Sequence, residues 1–157
     1  MAYKKLQAGT ALLVIPADNI NIPNASSRVA TGTTDGTTGL TDTGATFDDF
    51  SVSIGDIVYD TSNSVAARVT AIAATVLTLD DGNGVAVNLA TGADYAIYKD
   101  TNTACVLYVG VAGDLTVNMC NNGSTVLFTA ALNGYHPIQV NRVLATGTAA
   151  THIVALW

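Results

Sequence analysis

Apolar and polar residues along this chain repeat at every second position or gather in short unbroken runs, and glycine, asparagine or aspartate closes most of those runs. A period of two places alternate side chains on opposite faces of a strand, and short apolar runs between turn residues read as strands with both faces covered. This pattern predicts strands near residues 11–15, 56–59, 65–72, 76–79, 95–99, 105–110, 115–120, 125–129, 138–144 and 151–156. No segment keeps the i, i+3, i+4 spacing of an amphipathic helix. Turn signals lie between the strands: Asp80-Asp81-Gly82-Asn83-Gly84, Ala112-Gly113-Asp114, Asn121-Asn122-Gly123 and Asn133-Gly134. All are places where a positive φ is cheap, and all read as hairpin joints.

One stretch breaks the rhythm. Residues 30–46, ATGTTDGTTGLTDTGAT, are too rich in Thr and Gly to bury an apolar face, so an extended or looping surface segment is expected there. It marks an internal boundary. Residues 47–99 follow with a compact rhythm of their own, sufficient for a four- or five-stranded barrel-like unit. The two ends of the chain are then left to pair with each other. The expected fold is all-β: a small antiparallel β-sandwich built from residues 1–24 and 104–157, with residues 25–103 inserted as a β domain behind a Thr/Gly-rich leading loop.

Composition supports this and narrows the function. The chain has 157 residues, 49% hydrophobic and 11% charged, and every acidic residue is Asp. Glu favours helix interiors, whereas Asp favours turns and the abundant Val and Thr favour strands. A net charge of −6 with six scattered basic residues excludes the dense cationic footprint that a nucleic-acid backbone requires. Residues 11–15 are too short an apolar run for a signal peptide or a membrane span, so cytosolic synthesis is expected. The acceptor patterns at Asn24-Ala25-Ser26 and Asn122-Gly123-Ser124 therefore carry no weight. The charged fraction is about half that of an ordinary soluble monomer, which points to a surface covered by neighbouring copies.

Chemistry-bearing residues are few. A hairpin turning on Ala112-Gly113 would set Cys105 opposite Cys120, close enough to bridge, whereas a loop over residues 110–113 would separate them. In a reducing cytosol the expectation is two buried thiols. His136 and His152 have no second His or Cys nearby in sequence, so no metal site and no catalytic base is expected of them. The Asp80–Gly84 cluster misses the spacing of a calcium loop and lacks its closing Glu, which leaves a β-turn. Asp48-Asp49 and Asp94 read as loop charges. The Gly-rich stretch has no phosphate-binding Lys, and no serine stands in a nucleophile elbow. No catalytic, cofactor or metal residue is expected.

The two ends together resemble a known module. VIPADNINIPN at residues 14–24, CVLYVGVAGDLTVNM at 105–119 and STVLFTAALNGYHPIQVNRVLATGTAATHIVALW at 124–157 are similar to a small β-sandwich of tailed-phage virion proteins and of the head-spike base protein of gene transfer agents. In that module the first motif lies close to the LYVG motif, whereas about eighty residues intervene here, which fits an inserted domain. The middle block is similar to segments of marine phage structural proteins. The resemblance implies a virion protein, assembled in the host cytoplasm, that decorates the capsid as a cement protein or head-spike base. Its partners would be its own copies and the major capsid protein, with no nucleic acid and no membrane. Lys4, Lys5 and Leu6 in the N-terminal arm are the expected capsid contact, and the insert would project outward. The competing expectation is a tail fibre, spike or baseplate component that binds host-surface glycan, for which Tyr59, Tyr95 and Tyr98 form the aromatic cluster in the insert.

Overall fold

The computed structural model describes residues 8–49, 51–99 and 104–157. The protein is all-β, with thirteen strands in two antiparallel sheets and one 3₁₀ turn at Ala25–Ser27 among these residues. One sheet comes from the two ends of the chain and the other from its middle.

The terminal sheet contains β1 (Ala11–Leu13), β9 (Cys105–Val111), β10 (Gly113–Met119), β11 (Thr125–Ala131), β12 (Gly134–Val143) and β13 (Thr151–Leu156), in the order β1-β13-β9-β12-β10-β11. β12 is the long member and it serves two neighbours. Its first half pairs with β9 (Tyr135↔Tyr108, His136↔Leu107), and its second half pairs with β10 (Arg142↔Asn118, Val143↔Val117). It is antiparallel to both. In a flat sheet β9 and β10 would then run parallel, yet a single residue, Ala112, joins the end of one to the start of the other. The register closes only if β12 bends, and a pairing irregularity sits between His136 and Val140. A strand that changes sheets at a bulge is how a sandwich makes its corner. The sheet thus folds over on itself, with Leu107, Val109, Ile153 and Ala155 on one layer facing Leu115, Val117 and Val143 on the other, all buried in one cluster.

The middle sheet contains β2 (Arg28–Thr33), β3 (Leu40–Thr41), β4 (Ile57–Asp60), β5 (Val65–Ile72), β6 (Val76–Asp80), β7 (Ala86–Val87) and β8 (Asp94–Tyr98). Its order is β2-β8-β4-β5-β6-β3, and β7 pairs with β6. It curls until residues 34–39 suffice to join its outermost strands, β2 and β3. The Thr/Gly-rich stretch is extended over β2 and exposed along much of its length, as expected, but it is not surface throughout. It supplies two strands, and Leu40 and Phe47 are fully buried in the core of the curl. Gly39 shows why so many glycines are needed: its φ is +57°, and a Cβ there would stand 2.1 Å from the carbonyl oxygen of Leu77. Two backbones meet where no side chain fits, and only glycine adopts that conformation freely.

Side chains of β4 and β8 alternate between two cores. Val58 and Ile97 face the interior of the curl, whereas Ile57, Tyr59, Ala96 and Tyr98 face outward onto Ile15 and Ile20. Residues 14–22 thus form a seam between the sheets. Their backbone is tied to the terminal sheet, with amides of Val14, Ala17 and Ile22 donating to carbonyls of Ile153, Val143 and Asn141. Arg142 donates to Asn21 Oδ1 and to the Asp18 carbonyl, and Asp18 accepts the amide and hydroxyl of Thr146 at 2.8 and 2.7 Å. Polar contacts hold the seam on one side and apolar packing holds it on the other.

Candidate interaction face

The outer face of β1, β13, β9 and β12 carries the least expected surface of the molecule. Cross-strand register sets Leu13 opposite Val154, Val154 opposite Tyr108, and Tyr108 opposite Tyr135, a continuous row across four strands. Leu13 is 60% exposed, Tyr108 45% and Tyr135 59%. A second row, Ala11–Leu156–Val106, runs beside it. The inner residues of these strands, such as Leu107, Val109 and Ile153, fill the core, so the pattern is apolar on both faces, whereas a sheet wetted on one side alternates apolar with polar. Neither row contains Asp, Lys or Arg. A laddered apolar surface of this kind marks an interaction site, because isolated exposed apolar residues do not line up across strands.

A notch of about 290 Å³ lies at the Leu13 end of the row, lined by Leu13, Pro16, Ser64, Thr151 and His152 among others. Two of its lining residues hold left-handed backbone without being glycine: Ser64 at φ +56° and His152 at φ +53°. Such conformations persist only where the surroundings enforce them. For His152 the room comes from Gly110 on the neighbouring strand, where a Cβ would come within 2.7 Å of the His152 Cβ. Ser64 belongs to the β4–β5 turn, which is pinned by the Asp60 carboxylate accepting the amides of Ser62 and Asn63.

The residues singled out in the sequence are dispersed. Cys105 and Cys120 are free: β9 and β10 do not pair, because β12 lies between them, so Cys105 faces Val140 and the Cys120 amide bonds the Gln139 carbonyl. The Ala112-Gly113-Asp114 and Asn133-Gly134 turns are accordingly connections between layers and not hairpin joints, whereas Asn121-Asn122-Gly123 does close the β10–β11 hairpin. Burial pushes the Cys105 thiol up to about 12. The His136 ring bonds the Leu132 carbonyl at 2.8 Å, far from the His152 notch in sequence and on a different strand.

Asp80 is taken by Arg68, which grips it with two hydrogen bonds of 3.1 and 2.7 Å across the β5–β6 ladder and holds its carboxyl below the usual range. Asp81 accepts the amides of Asn83 and Val85, so the Asp80–Gly84 cluster is a self-capped turn. Among the described residues no three His, Cys or Asp side chains converge as a metal site would require. Asp94 accepts the hydroxyl of Thr33, and Asp48 and Asp49 lie in the turn after Phe47. Tyr59, Tyr95 and Tyr98 are all buried, with Tyr59 against Tyr98 and Tyr95 against Phe47 edge to face, so these three rings pack in the cores and do not form an exposed cluster. Lys4, Lys5 and Leu6 lie outside the described residues. Among the described residues no helix is long and apolar enough to cross a membrane.

The rows Leu13–Val154–Tyr108–Tyr135 and Ala11–Leu156–Val106 could not be assembled from sequence spacing alone. Each residue belongs to an ordinary strand pattern, and only the register of non-adjacent strands aligns them. Comparison with protein-family profiles, with characterised proteins and with solved structures finds no match for this chain.

Proposed function

We propose that this protein is a structural component of a tailed-phage-type virion that decorates the capsid and acts by assembly, not by chemistry. The observation that carries this reading is the uncharged apolar face across β1, β13, β9 and β12, which water alone does not stabilise. The resemblance of the chain ends to the virion β-sandwich supplies the setting. A low-charge β protein that buries such a face among its neighbours adds stability to a shell by mass action.

Gold-labelled antibody against the chain, applied to particles released from the host, tests the assignment. Label on the heads is the expected result; label on the tails, or none on any particle, overturns it. The capsid contact remains proposed at Lys4, Lys5 and Leu6. Gly9 and Thr10 bond Trp157 and extend the β1 edge, so the informative deletion is of residues 2–7 only. Heads should then lose the protein while its melting temperature holds, and unchanged occupancy would reject this contact.

A further inference from the structure

We infer that a second copy of this chain covers the apolar face, related by a two-fold axis parallel to the strands, so that Tyr135 of each copy seats in the notch beside Leu13 of the other. This rests on the reading of the chain as an assembling structural protein and adds the partner and the geometry.

Charge permits a second copy as the partner. The molecule carries a net −6, yet the two rows contain no Asp, Lys or Arg, so two copies meet there without like-charge repulsion. A basic or acidic partner would find no complementary charge on this face. The same patch must then serve both subunits, as a two-fold interface requires.

Side-chain size selects the axis. The row ascends from Leu13 and Val154 to Tyr108 and Tyr135, and at a strand spacing of about 4.8 Å it is about 14 Å long. A two-fold axis along the row would set tyrosine on tyrosine and leave Leu13 facing Leu13 across a gap. An axis along the strands reverses the row, so that Tyr108 meets Val154 and Tyr135 meets Leu13, tall against short at every position. Close packing favours the second arrangement.

The notch completes it. It opens beside Leu13, where the reversed row delivers the Tyr135 ring. A buried phenol needs a hydrogen-bond partner, and the lining offers the hydroxyls of Ser64 and Thr151 and the His152 ring. Thr151 Oγ1 and His152 Nδ1 already lie 3.2 Å apart. The face is limited in extent: its two rows lie two residues apart, so at about 19 Å across the strands and about 14 Å along them it offers on the order of 250 Å² per copy, about a third of a standard interface. Free dimers should therefore dissociate on dilution, and copies held side by side on a lattice should gain from avidity.

Cysteine cross-linking in a Cys120→Ser background tests the geometry. Leu13→Cys protein mixed with Tyr135→Cys protein and treated with bismaleimidoethane, a short linker suited to thiols on sheets that face each other about 10 Å apart, should yield a linked species of twice the 16.0 kDa chain mass, while either protein alone should yield little. Efficient linkage in Tyr135→Cys protein alone would overturn the axis. Absence of linkage in the mixture, with both proteins melting as wild type does, would overturn the proposal. Sedimentation of Tyr108→Asp/Tyr135→Asp protein provides the second readout: dimer should vanish at concentrations where wild type forms it, and an unchanged distribution counts against the face. If gold still labels the heads while both tests fail, the partner is wrong and the decoration reading survives.

Discussion

Single residues in this protein are controlled chiefly by what their neighbours leave room for. Cys105 is buried with its thiol pushed up to about 12, whereas Cys120 is partly open beside Gln139. Native protein at pH 8 should therefore take one equivalent of iodoacetamide, at Cys120, and a second only on unfolding; peptide mass mapping decides it. Gly39→Ala forces a Cβ against the Leu77 carbonyl in a left-handed conformation and should cost about 2 kcal/mol or more, read as a lower urea midpoint with unchanged slope. Asp80 and Asp18 have carboxyls held below the usual value, Asp80 by Arg68 and Asp18 by Thr146. Groups depressed in the folded state contribute stability that is complete above their unfolded value and lost as pH falls through the folded one. The melting temperature should be flat near neutrality and drop below about pH 4, and Asp80→Asn should flatten that drop. An Asp80→Asn profile parallel to wild type would exclude a role for this pair.

At the level of elements, legibility depended on whether local pattern or distant register decides the structure. Residues 65–72 and 151–156 alternate plainly and form strands over those same spans. Within residues 30–46 the burial of Leu40 is not legible, because it stands between Gly39 and Thr41 and its burial depends on β6, far along the chain. The bend in β12 was hidden for a related reason: Pro137 and the residues after it fit a straight strand locally, and only the one-residue link at Ala112 demands a corner. Period-two spacing shows which face a residue takes, but not what lies beyond that face, so Tyr108 and Tyr135 looked like ordinary strand residues. Gly110 is a case where one element depends on another. Gly110→Ala should displace His152 and loosen β13, with a cost on the order of 1–3 kcal/mol and faster amide exchange at Ile153 and Ala155.

Across the whole molecule, the seam of residues 14–22 couples the two sheets. Ile15 and Ile20 share a buried cluster with Ile57, Tyr59, Ala96 and Tyr98, so wild type should melt in one calorimetric transition. Ile20→Asp puts a charge into that cluster and should split the transition in two; a single peak, merely shifted, would show that the seam does not govern coupling. The pairing of β1 with β13 also bears on how the chain is made. β1 is synthesised before the middle sheet, and its partner β13 after it. All pairing of the middle sheet lies between Arg28 and Tyr98, so that sheet can close while the remainder is still being synthesised. During that interval Ile15 and Ile20 have the finished middle sheet to rest on. The nascent segment after β1 is thereby shielded from aggregation until Thr151–Leu156 arrives to complete the terminal sheet.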